Sequence, residues 1–293
     1  MQSSSWGRSA FQLFNYVFLI AMSILCILPL VHILAISFSS SAAVSAGDVT
    51  FWPVDFTFKS YSFILDNPKF LTSVGITLER VVIGTIINLF LAVLTAYPLS
   101  KEVSAFRHRT WFAWLFVFTI LFNGGLIPWY MTIKMTGLID TIWALVLPGA
   151  VAVFHIILLL NFFRALPKEL EEAAFVDGAG HWTTLWRIMV PLSMPAIATI
   201  LLFTLVQHWN SWFDGMILMN KPAHYPLATY LQSIIIKLDF ENLRQEDIYL
   251  LGLISDRTSK AAQIFLGTLP ILLAYPFLQK HFMKGIVLGS VKG

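Results

Sequence analysis

An all-α, polytopic membrane protein with six transmembrane helices is the fold class this sequence predicts, and three observations predict it. Of its 293 residues 57% are hydrophobic and only 12% charged, whereas a soluble domain is nearer half apolar and a quarter charged. Six apolar stretches each reach the length of about 20 residues needed to cross roughly 30 Å of hydrocarbon. Between them lie charged segments whose basic residues are unevenly shared between two sides. The chain reads as a single transmembrane domain over residues 1–293, without tandem repeats or low-complexity segments.

The first stretch, about 13–37, is "LFNYVFLIAMSILCILPLVHILAIS". It is expected to be an uncleaved anchor. Its apolar run exceeds the roughly 7–15 residues of a signal-peptide core, and Arg8 alone supplies basic charge ahead of it. Cys26, the one cysteine, excludes an intramolecular disulfide and a Cys-based metal cluster; its apolar setting predicts a buried, inert thiol. An outer segment, about 38–72, carries the aromatic run "FWPVDFTFKSYSFIL". The second span is about 74–99, the third about 110–133, the fourth about 142–163, the fifth about 195–219 and the sixth about 261–279. Proline and glycine within them are compatible with spanning, because neighbouring helices can satisfy freed backbone groups. A second outer segment, about 220–260, contains "PLATYLQSIIIKL", where Leu227, Tyr230, Leu231, Ile234 and Leu238 recur at helical spacing and predict a helix lying along the outer surface.

Orientation follows from lysine and arginine. With six spans both termini share one side. That side collects ten basic residues: Arg8, Lys101, Arg107, Arg109, Arg164, Lys168, Arg187, Lys280, Lys284 and Lys292. The other side has eight, so the raw count decides little; five of them lie in the long 220–260 segment, where the rule weakens, and without it only Lys59, Lys69 and Lys134 remain. Both termini are therefore expected in the cytoplasm. The net charge of +3 is too small to indicate nucleic acid.

One cytoplasmic segment, about 164–194, is unlike its surroundings. "KELEEAAFVDGAG", residues 168–180, packs one Lys, three Glu and one Asp into an apolar chain. Pro167 suits the first helical position. Glu169, Glu171 and Glu172 fall in the first turns, where the helix dipole favours acids, and Gly178 and Gly180 are natural stops. So short a helix is marginal alone and needs something to dock against.

The wider stretch "EAAFVDGAGHWTTLWRIMVPLSMPA", residues 172–196, resembles the EAA loop of ATP-binding-cassette importer permeases. The family pattern is EAA, a glycine four residues on, nine residues, then I-x-L-P. Here Glu172-Ala173-Ala174 precedes Asp177-Gly178-Ala179 and Ile188-Met189-Val190-Pro191, with Val190 the one departure. "HWNSWFDGMI" (208–217) and "YPFLQKHFMKGIVLGSVKG" (275–293) resemble the fifth span and tail of maltose-type sugar permeases. "NYVFLIAMSILCILPLVHILAISFSS" resembles the branch handling oligosaccharides and polysaccharide fragments.

The resemblance implies a maltose-type permease fold in which 168–180 is the coupling helix. Glu172, Ala173, Ala174, Asp177, Gly178 and Ala179 would meet the cytoplasmic ATPase, and Gly289, Ser290, Val291, Lys292 and Gly293 would reach between two copies of it. Asp239, Glu241, Arg244, Glu246 and Asp247 would touch an extracytoplasmic sugar-binding protein. A second, homologous permease would complete the path in the bacterial inner membrane. The sequence contains no GxxxxGK[ST] phosphate loop, so ATP and Mg are expected on the partner ATPase and no cofactor on this chain.

The remaining polar residues are weighed on their chemistry. Trp209, Asn210 and Trp212 suit a sugar path, since aromatic faces and amides match sugar rings and hydroxyls. For Asn88, Asn123, Asn161, Gln207 and Asn210 as a group, interhelical hydrogen bonding is the first expectation. Glu79 and Arg80 are costly in a span, so an ion pair with a neighbouring helix is expected. His32, His155, His181, His208 and His224 show no metal-ligand spacing. Two other classes stay open on the residues alone. An ion-coupled secondary transporter would want mid-membrane carboxylates and inverted repeats; a membrane enzyme would want paired carboxylates or a nucleophile. Neither is evident.

Overall fold

The computed structural model describes residues 6–236 and 256–289. Every regular element among them is helical. The chain divides into two compact units, residues 1–68 with 234–269, and residues 69–233 with 270–293.

The first unit opens with α1 (Trp6–Ser37), continuous through Pro29. An 18-residue apolar window within Ala10–Ser37 has no buried residue, whereas Ala35 and Ser37 at its end are buried. Most of this helix has no packing against its own chain, and Cys26 is exposed instead of buried as the sequence suggested. A short α2 (Ser41–Ala46) follows. The Ser40 hydroxyl caps it by accepting the Ala43 N–H at 3.2 Å, and Gly47, at φ +84°, ends it. α3 (Lys59–Leu65) completes the segment between α1 and α4. Phe38, Phe56, Phe58 and Tyr61 cluster there by stacked and edge-on contacts.

The second unit is organised around α4 (Pro68–Ser100). At 1.5 Å per residue its 33 residues extend about 50 Å, longer than the roughly 30 Å of a bilayer core. The remaining spans here are broken. α5 (Arg109–Leu121) and α6 (Leu126–Met135) meet at 115°, so the expected third span is no straight rod. Gly125, at φ +86°, makes the corner, and its N–H is held by the Asn123 side chain at 2.8 Å. α7 (Ile142–Val146) and α8 (Val153–Ala165) are bent by 47° across a 3₁₀ turn at Leu147–Gly149. After α9 (Glu169–Val176) come α10 (His181–Thr184), a π-helical stretch Leu185–Met189 and α11 (Val190–Leu192). This run meets α12 (Met194–Asn210) at 79°. The expected fifth span ends early, because the helix stops at Asn210 and restarts as α13 (Phe213–Leu218).

α14 (Leu227–Ile236) forms where the helical spacing predicts one and packs its apolar face on its own chain. Leu227 and Tyr230 are buried, the Leu227 N–H is held by Thr77 at 2.7 Å, and Tyr230 meets Phe70 edge-on. α15 (Asp256–Gly289) contains the sixth expected span. α1 and α4 are each long and apolar enough to cross a membrane, the bent pairs bring the number to five if each is one span, and α15 holds the sixth expected stretch. The main core lies near the C-terminal half of α4, where Ala92 and Ala96 let Ile156, Leu159, Leu185 and Ile200 approach closely.

Candidate functional site

The charged segment forms α9, eight residues opening with Glu169, Glu171 and Glu172 in its first turn. Pro167 sits one residue ahead of the N-cap, Lys168, and not at the first helical position as the sequence suggested. It stiffens the approach and leaves its carbonyl free to accept the Leu170 N–H at 3.4 Å. Gly178 takes φ +80°, and the Gly178 and Ala179 N–H groups close on the Phe175 and Ala174 carbonyls at 3.0 and 2.9 Å. A left-handed glycine is what this exit requires.

The two neighbouring glutamates have different fates. Glu171 turns inward. It forms an ion pair with Lys101, just past the end of α4, and accepts the Tyr97 hydroxyl at 3.3 Å. The Lys101 ammonium also lies 3.9 Å over the Tyr97 ring, and His181 hydrogen-bonds the Tyr97 hydroxyl at 3.2 Å. Burial pulls the Lys101 ammonium below its ordinary value, and Glu171 pulls back in the other direction. Ala174, buried beside this contact, seats α9 against its own chain. Glu172 and Ala173 are exposed, and Val176 is 87% exposed. Residues 169, 172, 173 and 176 share one helical face, and that face is open to a partner. Asp177 and Gly178 are exposed at its end.

At the other end of α4 a polar seam repairs the broken helices. Arg80, 2% exposed, forms an ion pair with Asp214 of α13. It also donates to the Ser211 carbonyl at 3.2 Å, where α12 stops, and to the Leu145 carbonyl at 3.3 Å in α7. Asn88 donates its amide to the Gly149 and Ala150 carbonyls at 3.2 Å each, at the break before α8. Its oxygen meets His155 at 2.8 Å and accepts the Thr204 hydroxyl at 3.5 Å. Between these positions Gly84 gives room to His208: a Cβ there would fall 2.4 Å from Nε2 of that ring. Helix ends inside a membrane leave carbonyls that water cannot reach, and α4 supplies the missing donors. The seam missed at the sequence level is the pairing itself, since Arg80 and Asp214 are 134 positions apart.

The other expected residues fall as follows. Arg80 has its ion pair, whereas Glu79 is exposed and lines a pocket of about 260 Å³ with Asp140 and His224. Asp140, in the left-handed region at φ +64°, ties two turns together through His224 at 2.9 Å and the Asn220 N–H at 3.0 Å. Asn210 closes α12, and Trp212 follows at the break, 40% exposed, with its carbonyl accepting the Thr229 hydroxyl at 2.8 Å. Trp209 lies in the last turn of α12. Asp239, Glu241, Arg244, Glu246 and Asp247, with Ser290, Val291, Lys292 and Gly293, lie outside the described residues. Gly289 is the last residue of α15.

Comparison with known proteins gives consistent results. The profile of the family described as binding-protein-dependent transport system inner membrane component matches residues 1–287. Protein LplC of Bacillus subtilis (strain 168) is 40% identical over 100% of this chain and 98% of its own length. The polygalacturonan/rhamnogalacturonan transport system permease protein YtcP of the same organism is 39% identical, covering 97% of this chain and 98% of its own. A chain in the crystal structure of a bacterial ABC transporter involved in the import of the acidic polysaccharide alginate superposes with a TM-score of 0.88. It is 33% identical, over 96% of this chain and 100% of that one.

Proposed function

The chain belongs to the family of binding-protein-dependent transport system inner membrane components, and from that premise we propose that its cargo is oligosaccharides or polysaccharide fragments, acidic ones foremost. It is a multi-pass inner-membrane permease subunit of an ATP-driven importer. Family membership displaces the ion-coupled secondary transporter considered from sequence. The acidic cargo rests on two relatives, one named for polygalacturonan/rhamnogalacturonan and one from a transporter importing the acidic polysaccharide alginate.

The observation that carries the mechanism is α9: one face fixed to α4 by Glu171, the opposite face carrying Glu172, Ala173 and Val176 into solvent. A separate ATPase, holding ATP and Mg, docks on the open face. Two copies of it closing together move α9, and the Glu171–Lys101 attachment passes that motion to α4. The Arg80 and Asn88 contacts then carry it to the helix breaks. A second permease subunit completes the path, with Trp209, Asn210 and Trp212 on this chain's side of it. Residues 239–247 meet the loaded binding protein, and 289–293 reach between the ATPase copies. Both termini are cytoplasmic.

Glu172→Lys in the reconstituted transporter should lower uptake and substrate-stimulated ATPase roughly tenfold or more, as losing a charged interface contact does, while membrane insertion is unchanged. Normal values for both would remove α9 from the coupling. Orientation has its own check: cysteines at Ser104 and Gly293 stay shielded from an impermeant thiol reagent in intact spheroplasts, and one at Asn242 reacts.

A further inference from the structure

The end of the bundle that carries α9 also holds a cavity of about 640 Å³. Cations are prominent in its wall: Lys101, Arg109, Arg164 and Lys168. Glu102, Glu171 and Glu172 share the wall; Lys101 is answered by Glu171 and Lys168 by Glu102, whose charge Arg109 also favours from further off. Arg109 and Arg164 have no carboxylate in an ion pair among the described residues. They donate instead to carbonyls at the end of α4, Arg164 to Leu99 within it and Arg109 to Lys101 just past it, each at 3.0 Å. Capping a helix end in this way uses one N–H from a guanidinium that has five. The Nε of Arg109 is buried without a partner, and the two guanidiniums lie within each other's field. Two like charges held together around an unmet buried donor favour a bound anion.

Position and shape identify the anion's class. Arg109 is the first residue of α5 and Arg164 the last but one of α8. Both helices belong to spans, so the pair stands at the boundary between water and hydrocarbon, the level of lipid headgroups. A second cavity, of about 180 Å³, starts at the same Arg109 and follows α5 along Thr110, Ala113, Trp114 and Val117. Residues 109, 113 and 117 lie on one helical face. Past Thr110 the trough is wholly apolar, a shape that suits an alkyl chain and offers nothing to a free ion or a carboxylate side chain.

We propose that Arg109 and Arg164 hold the phosphodiester headgroup of an anionic phospholipid, whose acyl chain lies in the trough along α5. Basic pockets between membrane helices are a known way of holding such headgroups. The lipid would brace the end of α4 to which Lys101 fastens α9.

The test is to reconstitute the whole transporter in equal phosphatidylglycerol and phosphatidylcholine, extract it in mild detergent and count retained lipids by native mass spectrometry. Phosphatidylglycerol should be retained in preference, and retention should fall roughly fivefold for each of Arg109→Gln and Arg164→Gln, as expected for one basic residue at a membrane surface. Ala113→Trp fills the trough and leaves both arginines in place; it should lower retention comparably. Equal retention of the two lipids, or undiminished phosphatidylglycerol in the double glutamine variant, would overturn the proposal. So would an unchanged Ala113→Trp, which would make the arginines a site for free phosphate. Loss of the lipid when the ATPase subunits bind would overturn it too, by assigning the arginines to a protein carboxylate. The readout is lipid per permease chain, so it stands or falls separately from the identity of the cargo.

Discussion

Arg80 and Glu172 are both charged residues in a chain that is only 12% charged, and their surroundings are opposite. Arg80 is 2% exposed, with a carboxylate and two carbonyls of its own chain around it. Glu172 is exposed on α9, one position after a glutamate that is fully engaged. The charges of the seam along α4 are met within the chain; the face of α9 is not. A polar group in this apolar protein either repairs a broken helix or meets something outside the fold. The first kind should govern stability and the second kind coupling.

The largest expected effect tests the first half. Arg80→Ala leaves Asp214 uncompensated beside two freed carbonyls and should cost about 3–5 kcal/mol of stability, as breaking a buried pair does, seen as loss of folded protein in detergent. Arg80→Met with Asp214→Leu should recover much of it; a double variant no better than the single one would show that the carbonyl contacts, and not the ion pair, dominate. Next, Asn88→Leu strands the Gly149 and Ala150 carbonyls and should cost about 1–3 kcal/mol, with a lowered Tm as the measure. A smaller effect concerns pH at Asp140. Burial raises its carboxyl, but His224 and the Asn220 and Lys221 N–H groups outweigh this and hold it below the usual carboxylate value. Its contribution is therefore present above the ordinary carboxylate range and is lost only as pH falls through the lowered value. Thermal stability should hold down to mildly acidic pH, and Asp140→Asn should remove that dependence. Smallest of all, Glu172→Ala should leave Tm unresolved from wild type, since it is an exposed substitution with no partner to strand. A clear drop in Tm would place Glu172 with Arg80 and erase the contrast.

How much of this was legible in the sequence depends on range. The six apolar stretches and the acidic, glycine-ended helix are local patterns, and they were readable. The corner at Gly124-Gly125 had a local signal too, a Gly pair inside an apolar run, but span length alone concealed a 115° bend. The exposure of Cys26 was misread because hydropathy does not distinguish burial in protein from burial in lipid. Glu171 and Glu172 could not be told apart by motif, because one helical step of about 100° separates an inward side chain from an outward one. Arg80–Asp214, Asn88 with the Gly149 carbonyl, and Lys101–Glu171 join positions 61 to 134 apart, and no periodicity reports such pairs.

The central claim is that the open face of α9 is a docking face for the ATPase. It is tested most directly at Val176, which is 87% exposed and contributes nothing to the Glu171 attachment. With Cys26 replaced by Ser, Val176→Cys becomes the one thiol in the chain. Its labelling rate by a soluble maleimide is measured in permease with and without the ATPase subunits. The account predicts rapid labelling in their absence and strong protection in the assembled transporter. Equal rates in the two preparations, with assembly confirmed by ATP hydrolysis, would contradict it.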